Sequence, residues 1–456
     1  MTATPGGRDS RATRSEAHAA TQARAALARS LAHRGPGFSA AVQAAFRAVP
    51  RHLFVPDLTP AAAYRDEALV IKYDTCGVPV SSSSQPAMMA IMADQLGLEP
   101  GHRVLEIGTG SGYNAAIMAH IVGPEGRVVS VDIDPVLVAS AVDRLTAAGY
   151  GAVQARCADG GYGDPADAPF DRVIVTAGAW DIAPAWLDQL GPGGRLVLPL
   201  ALRGIQLSVA LERAPVPSGP VSAGPRWVAV SAVRCGFVQL SGAFSGPESF
   251  RPVGPSPGLY VQVDDGHAVE TAAVAAALAQ PAADYGTGIA AVGPDDLSDL
   301  DLWLTLTEPD TDRLTFLVTA PGPAPDAPRL PLGALAGRDP GTGRLGIVGL
   351  TDLNRAALPH EIMLRGYGPG ALALADRLTG QAAAWDRLGR PSVADLRLTV
   401  WPVAPPGPPV SPAPAHPDPA RPAPAGSAAA ASASAGDIVL RRPHIQLTAG
   451  WAVPAP

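Results

Sequence analysis

The chain has 456 residues, more than one domain usually holds, and with 47% hydrophobic and 16% charged residues it can build more than one core. A formal net charge of −7 excludes broad binding to nucleic acid or to an acidic membrane, because both require basic surface that releases counterions. Cys76, Cys157 and Cys235 lie far apart with no CxxC, and there is neither an apolar signal segment nor a run of about 18 uncharged apolar residues; the expectation is a soluble cytoplasmic protein without a disulfide framework, zinc site or spanning helix.

Residues 1 to about 15 are expected to lack structure, followed by amphipathic helices over Glu16 to His33 and Phe38 to Ala48, so that 1–48 form a helical lead-in. From Arg103 the pattern alternates. RVLEI is a strand, GTGSG a turn, YNAAIMAHIV a helix, RVVSVDID a strand, PVLVASAVDRLTAAG a helix and VQARCADG a strand. FDRVIVTAG is a further strand, AWLDQLGPGG ends a helix and RLVLPL is again a strand. Strands separated by helices of this length pair in parallel through right-handed crossovers, which predicts a doubly wound α/β sheet within residues 49–245.

Beyond Arg213 the runs RWVAVSAV and CGFVQL are strand-like, and a domain boundary is expected near 246 to 256. Residues 256–456 then read as a smaller α+β domain. Its strand candidates are LWLTLT (302–307), RLTFLV (313–318), RLGIVGL (344–350), DLRLTVW (395–401) and IQLTAGW (445–451). One helix is expected, ALALADRLTGQAAAWDRL, with Ala371, Leu374, Ala375, Leu378, Ala382, Trp385 and Leu388 on one face. Residues 403–436 are Pro/Ala/Ser-rich and cannot bury a core; with strands on both sides they read as a disordered excursion within that domain.

The stretch VLEIGTGSGY places Glu106 at a strand end and Gly108, Thr109, Gly110 and Gly112 in the turn that opens a helix, where missing side chains let a ligand reach the backbone. A nicotinamide site would want glycine or alanine where Tyr113 stands. S-adenosylmethionine carries an ammonium and a sulfonium and no phosphate, so a carboxylate beside the glycines favours it. Asp132 ends the next strand, where a carboxylate can accept both ribose hydroxyls, and Asp159-Gly160 ends the third, suited to the adenine amino group. The alternative is a purely structural turn with solvated loop acids, and no metal-ligand spacing occurs.

Four serines, Ser81 to Ser84, precede Gln85-Pro86 and a helix carrying Met88, Met89 and Met92. They can simply cap that helix; no G-x-S-x-G surrounds them, so a hydrolase elbow is not indicated. The other use is orientation. An ionised carboxylate attacking a sulfonium methyl needs no strong base, and a serine hydroxyl can hold one of its oxygens while the other faces the methyl group.

VPRHLFVP (49–56), AYRDEALVI (63–71), SSQPAMMAIM (83–92), VLEIGTGSGYNAA (104–116), CADGGYG (157–163), APFDRVIVTAG (168–178), LDQLGPGGRLVLPL (187–200) and GFVQL (236–240) together resemble the protein-L-isoaspartate O-methyltransferases. The resemblance implies a Rossmann-like class I methyltransferase sheet, S-adenosylmethionine as cofactor and Ser84 as the active-site hydroxyl. Ser82 and Ser83 stand where that family has Thr and Ile, and with Gln85 they are expected to bind substrate. The added C-terminal region is similar to longer relatives associated with ribosomally made, modified peptides, and is therefore expected to recognise a peptide. The primary expectation is methylation of an aspartate side chain in such a peptide, leading to aspartimide or isoaspartate. The alternatives are repair of L-isoaspartyl residues in damaged proteins and a non-catalytic peptide-binding module. The partner is in each case a peptide or protein bearing Asp or isoAsp.

Overall fold

The computed structural model describes residues 6–33, 37–75, 77–215, 225–247, 250–254, 259–263, 270–308, 310–318, 333–351, 359–403 and 438–452. Helices α1 (Gly6–Ala32) and α2 (Ala40–Ala48) form the lead-in. Residues 6–15, expected to lack structure, belong to α1, because extending a helix already nucleated in its alanine-rich part costs little. Leu27 and Leu31 of α1 and Val42 and Phe46 of α2 enter a core shared with Tyr113.

After α3 (Pro60–Ala63), strands β1 (Leu69–Tyr73) and β2 (Pro79–Ser83) make an antiparallel hairpin that is a two-stranded sheet of its own. Helix α4 (Pro86–Leu96) leads into β3 (Arg103–Ile107), α5 (Tyr113–Val122), β4 (Arg127–Asp132), α6 (Pro135–Ala147), β5 (Gln154–Cys157), β6 (Phe170–Val175), α7 (Pro184–Asp188), β7 (Leu190–Leu202), β8 (Ile205–Arg213) and β9 (Trp227–Cys235). β3 and β4 are buried on both faces apart from their ends, as central parallel strands require. The chain's GPGG stretch does not end a long helix. α7 is five residues, and the glycines fall inside β7, where the ladder with β6 slips between Phe170 and Arg172 and a bulge absorbs the extra backbone.

The remainder comprises β10 (Arg251–Pro252), β11 (Leu259–Val263), α8 (Thr271–Leu278), β12 (Ala283–Ala291), α9 (Asp296–Thr307), β13 (Thr311–Val318), β14 (Gly333–Arg338), β15 (Leu345–Thr351), β16 (His360–Tyr367), α10 (Ala371–Arg387), β17 (Leu396–Pro402), β18 (Ile438–Arg441) and β19 (Ile445–Trp451). Among the described residues ten strands form one sheet in the order β18-β19-β17-β9-β8-β7-β6-β3-β4-β5, and seven form an antiparallel sheet in the order β10-β11-β13-β14-β15-β16-β12.

Residues 256–456 therefore do not make one sheet. β17 pairs with β9 through Thr399 with Val228 and Val400 with Trp227, so the last strands extend the first sheet. Leu398, Val400, Leu447 and Ala449 join the core of Leu207, Val209 and Leu211, and the edge of β9 is covered at Trp227 and Val228. Of the proline-rich tract expected at 403–436, residues 404–436 lie outside the described residues.

LWLTLT is helix, not strand. Leu302 and Leu306 of α9 pack into the ten-stranded core while Leu300, Trp303 and Leu304 pack into the core of the other sheet. A helix buried on two sides loses its one-sided pattern and can mimic strand alternation. Burying each such side chain stabilises by about 1.5–3 kcal/mol, more than the propensity difference between helix and strand of up to about 1 kcal/mol per residue. α10 buries Ala371, Leu374, Ala375, Leu378, Ala382 and Trp385 as its spacing predicts, while Leu388 lies past its end and is exposed. No helix among the described residues is long and apolar enough to cross a membrane.

Candidate active site

β3 lies between β4 and β6 in the sheet, so the strand order reverses at its C-terminal end, where sheets of this type open a crevice. Gly108 leaves β3 at φ +101°, and a Cβ there would stand 2.4 Å from the Thr176 hydroxyl oxygen. Thr176 follows β6 and donates to the Gly108 carbonyl at 2.8 Å, so the turn and the neighbouring strand end are locked together. Asp132 ends β4. Its Oδ2 accepts from the Gly110 N–H at 2.9 Å and its Oδ1 from the Asp134 N–H at 3.0 Å, which fixes the carboxylate beside the glycine turn.

These strand ends floor a cleft of about 450 Å³. Gly108, Gly110, Asp132, Gly160 and Thr176 line one side; Lys72, Tyr73, Ser81 and Ser82 of the β1–β2 hairpin line the other, and Val238 to Ser241 close an end. Lys72 is the one cation among the described lining residues, and it pairs with Asp134, whose carboxyl its ammonium hydrogen bond holds below the usual range. A cleft of nucleoside size with carboxylates and no free cation suits a cationic nucleoside better than a phosphorylated one.

A second cavity of about 30 Å³ adjoins it and is lined by Ser82, Ser83, Ser84, Thr109, Asn114 and Phe237 among others. Ser82, Gly108, Gly110 and Thr176 border both spaces. The serine strand lies directly against the turn: a Cβ on Gly110 would be 3.5 Å from the Ser82 carbonyl and 3.8 Å from the Ser81 hydroxyl.

The expected cofactor residues separate into two groups. Gly108, Gly110, Asp132 and Gly160 line the cleft. Glu106, Thr109, Gly112 and Asp159 are not among its lining residues. Glu106 is fully buried behind the turn, accepting from Ser130 at 2.5 Å and Asn114 at 2.8 Å, and burial pushes its carboxyl up to about 7. Thr109 meets Ser130 at 2.7 Å. Gly112 opens α5 at φ +84°, with Ala141 and Leu145 of α6 against it, and so serves packing. Asp159 caps the turn Gly160–Tyr162 through the Gly161 N–H and also accepts from the Ala243 N–H at 2.7 Å.

The serines differ as well. Ser84 reaches the smaller cavity, and Ser83 is nearly buried. Gln85 points away from both spaces. Its amide donates to the Asp66 carbonyl at 3.1 Å, and Asp66 in turn accepts from the Ala87 N–H at the start of α4. Beneath the serines sits Arg51, a residue the spacing of motifs does not single out. It is fully buried and donates to the carbonyls of Arg65, Glu67, Ser83 and Ser84, with its guanidinium 5.7 Å from the Tyr113 ring. Desolvation lowers its affinity for the proton, and the ring of carbonyl acceptors answers that cost. Thr176 and Lys72 are the other residues missed. Thr176 carried a signal, since it follows a parallel strand; Lys72 carried none, because its partner is distant in sequence.

The family model for protein-L-isoaspartate(D-aspartate) O-methyltransferases matches residues 22–219. A protein-L-isoaspartate O-methyltransferase of Methanopyrus kandleri is 44% identical over 159 residues, covering 35% of this chain and 68% of that protein. Protein-L-isoaspartate O-methyltransferase 1 of Archaeoglobus fulgidus is 42% identical over 209 residues, covering 46% of this chain and 87% of that protein. Among solved structures, a protein-L-isoaspartate O-methyltransferase aligns over 82% of this chain and 96% of its own, at 23% identity and a TM-score of 0.45.

Proposed function

The chain belongs to the protein-L-isoaspartate O-methyltransferase family, and from that premise we propose that it methylates the free α-carboxylate of L-isoaspartyl residues in proteins or peptides. It is a carboxyl O-methyltransferase and its cofactor is S-adenosylmethionine. When bound, that cofactor supplies an electrophilic methyl group. The observation that carries the reading is the meeting of the two cavities at Ser82, Gly108 and Gly110, which sets hydroxyls beside the glycine turn.

The chain's own residues bind and orient. Asp132 receives the ribose hydroxyls, the Gly108–Gly110 backbone permits close approach, and Gly160 with Val238 to Ser241 forms the end that takes the base. Glu106 acts from behind, through Asn114 and Ser130, holding the turn's shape. Ser84 and Ser82 donate to one oxygen of the substrate carboxylate and leave the other toward the methyl group. No side chain has to remove a proton, because the nucleophile is already ionised; positioning and exclusion of water are what the site must provide.

A second reading keeps this site and changes the substrate to an ordinary aspartate in a ribosomally made, modified peptide, with the seven-stranded sheet recognising the peptide. Serines at 82 and 83, on the cleft wall and in the small cavity, favour it. The ester would be attacked by the following backbone amide, releasing methanol and closing an aspartimide. Mass spectrometry with S-adenosylmethionine and two peptide sets separates the readings. Gain of one methyl on L-isoaspartyl peptides alone supports the first. Gain of a methyl followed by a species one water lighter than the starting peptide, on constrained Asp peptides alone, replaces it with the second. Ser84→Ala that leaves turnover unchanged would remove the hydroxyl from the mechanism.

A further inference from the structure

The turn between β18 and β19 reaches back across the first sheet to the end of the cleft. His444 donates its backbone N–H to Asp181 Oδ2 at 3.0 Å and places Nδ1 2.8 Å from the same oxygen. Arg442 donates to the Ala201 carbonyl at 2.6 Å and lies with its guanidinium 5.0 Å from the Trp180 ring. Asp181 is 3% exposed, and its other oxygen accepts from the Ile182 N–H, so the carboxylate is wholly engaged in fixing this contact.

Two paths lead from the turn to the cleft lining. Trp180 and Asp181 continue from Gly178, which bridges to Gln239 and exchanges hydrogen bonds with Val238 and Leu240, three of the lining residues. The His444 ring lies 5.0 Å from that of Phe244, and Phe244 stands over Gly161, next to the Ala243 N–H that holds Asp159. The first path ends at Val238, Gln239 and Leu240 of the cleft lining, and the second at the residues flanking Gly160, which also lines it.

We propose that His444 is a positioning residue for the cofactor: through Asp181 and Phe244 it holds the Val238–Phe244 segment in the shape that takes the base of S-adenosylmethionine. It touches no reacting atom, so its effect falls on cofactor affinity and not on the methyl transfer. The inference rests on the assignment of the cleft to that cofactor.

The test uses the full chain, titrated calorimetrically with S-adenosylhomocysteine, alongside steady-state kinetics in which cofactor and peptide are varied separately. His444→Ala raises the dissociation constant and the cofactor KM by about fivefold, with kcat and peptide KM within about twofold of the parent. His444→Asn, whose amide can donate where Nδ1 stands, restores most of the affinity. A lowered melting temperature with unchanged cofactor affinity overturns the proposal, as does an Asn variant no better than Ala. Val439→Ala, at an exposed position on the same hairpin, leaves affinity unchanged; an equal loss there also overturns it, because any disturbance of the hairpin would then suffice. A parent chain that binds no S-adenosylhomocysteine refutes the cofactor assignment itself, and the proposal with it.

Discussion

The two walls of the cleft are built on opposite principles. The glycine-turn wall is made of the ends of β6, β3 and β4, each paired on both sides in the ten-stranded sheet, and its shape is set by backbone hydrogen bonds and by the absence of a Cβ at Gly108. The serine wall is an isolated hairpin, fastened from below by Arg51 and at its rim by Lys72 to Asp134. One wall is rigid because its neighbours are many, the other only as rigid as its ties. The residues proposed to hold the cofactor sit chiefly on the first, and those proposed to meet the substrate on the second.

The sharpest test of the rigid wall is Gly108→Ala. A Cβ at 2.4 Å from the Thr176 oxygen and a backbone at φ +101° leave no relaxed arrangement, so kcat/KM should fall by more than about 100-fold and binding of S-adenosylhomocysteine should be lost in calorimetry. Arg51→Met tests the other. Several carbonyls lose a buried charged donor at once, and chemical denaturation should show a loss of about 3 kcal/mol or more. If the walls are independent, the surviving folded protein keeps cofactor affinity while its peptide KM rises; parallel loss of both would break the comparison.

Glu106→Gln probes the support of the turn through pH. The folded-state value of about 7 lies above the ordinary 4.5, so the native state holds this proton more tightly than the unfolded chain. The stabilisation is full below pH 4.5 and is lost as pH rises through 7, by an amount of the order of 3 kcal/mol. The Gln variant lacks this dependence, so its stability relative to the parent should improve between pH 5 and pH 8 in denaturation curves. The smallest effect is expected from Lys72→Met. A half-exposed ion pair is worth under about 1 kcal/mol, so cofactor KM should rise by about twofold and lose part of its sensitivity to salt.

What was legible beforehand follows the same division. The parallel strands and their helices announce themselves by periodicity, and Gly108, Gly110 and Asp132 by their place at strand ends, because in this sheet local sequence and global position coincide. The hairpin's fastening was not legible: Arg51 to Ser84 and Lys72 to Asp134 join residues that no local pattern relates. Glu106 was legible as important but not as buried, since a strand-end acid looks the same whether it faces the cleft or the core. α9 was misread because two cores claim it, and the strands over 395–401 and 445–451 were read only as part of the C-terminal region because strand patterns do not name their partners.

The pairing of β17 with β9 also orders events in time. Synthesis completes β9 long before residues 396–451 leave the ribosome, and the whole antiparallel sheet must be made in between. During that interval the first sheet presents a bare strand able to recruit another chain, and the start of that edge is covered only by the last strands produced. A chain cut between β9 and β10 would keep that opening permanently, so aggregation of such a truncated form would reflect the missing cover and not a failure of the catalytic half to fold.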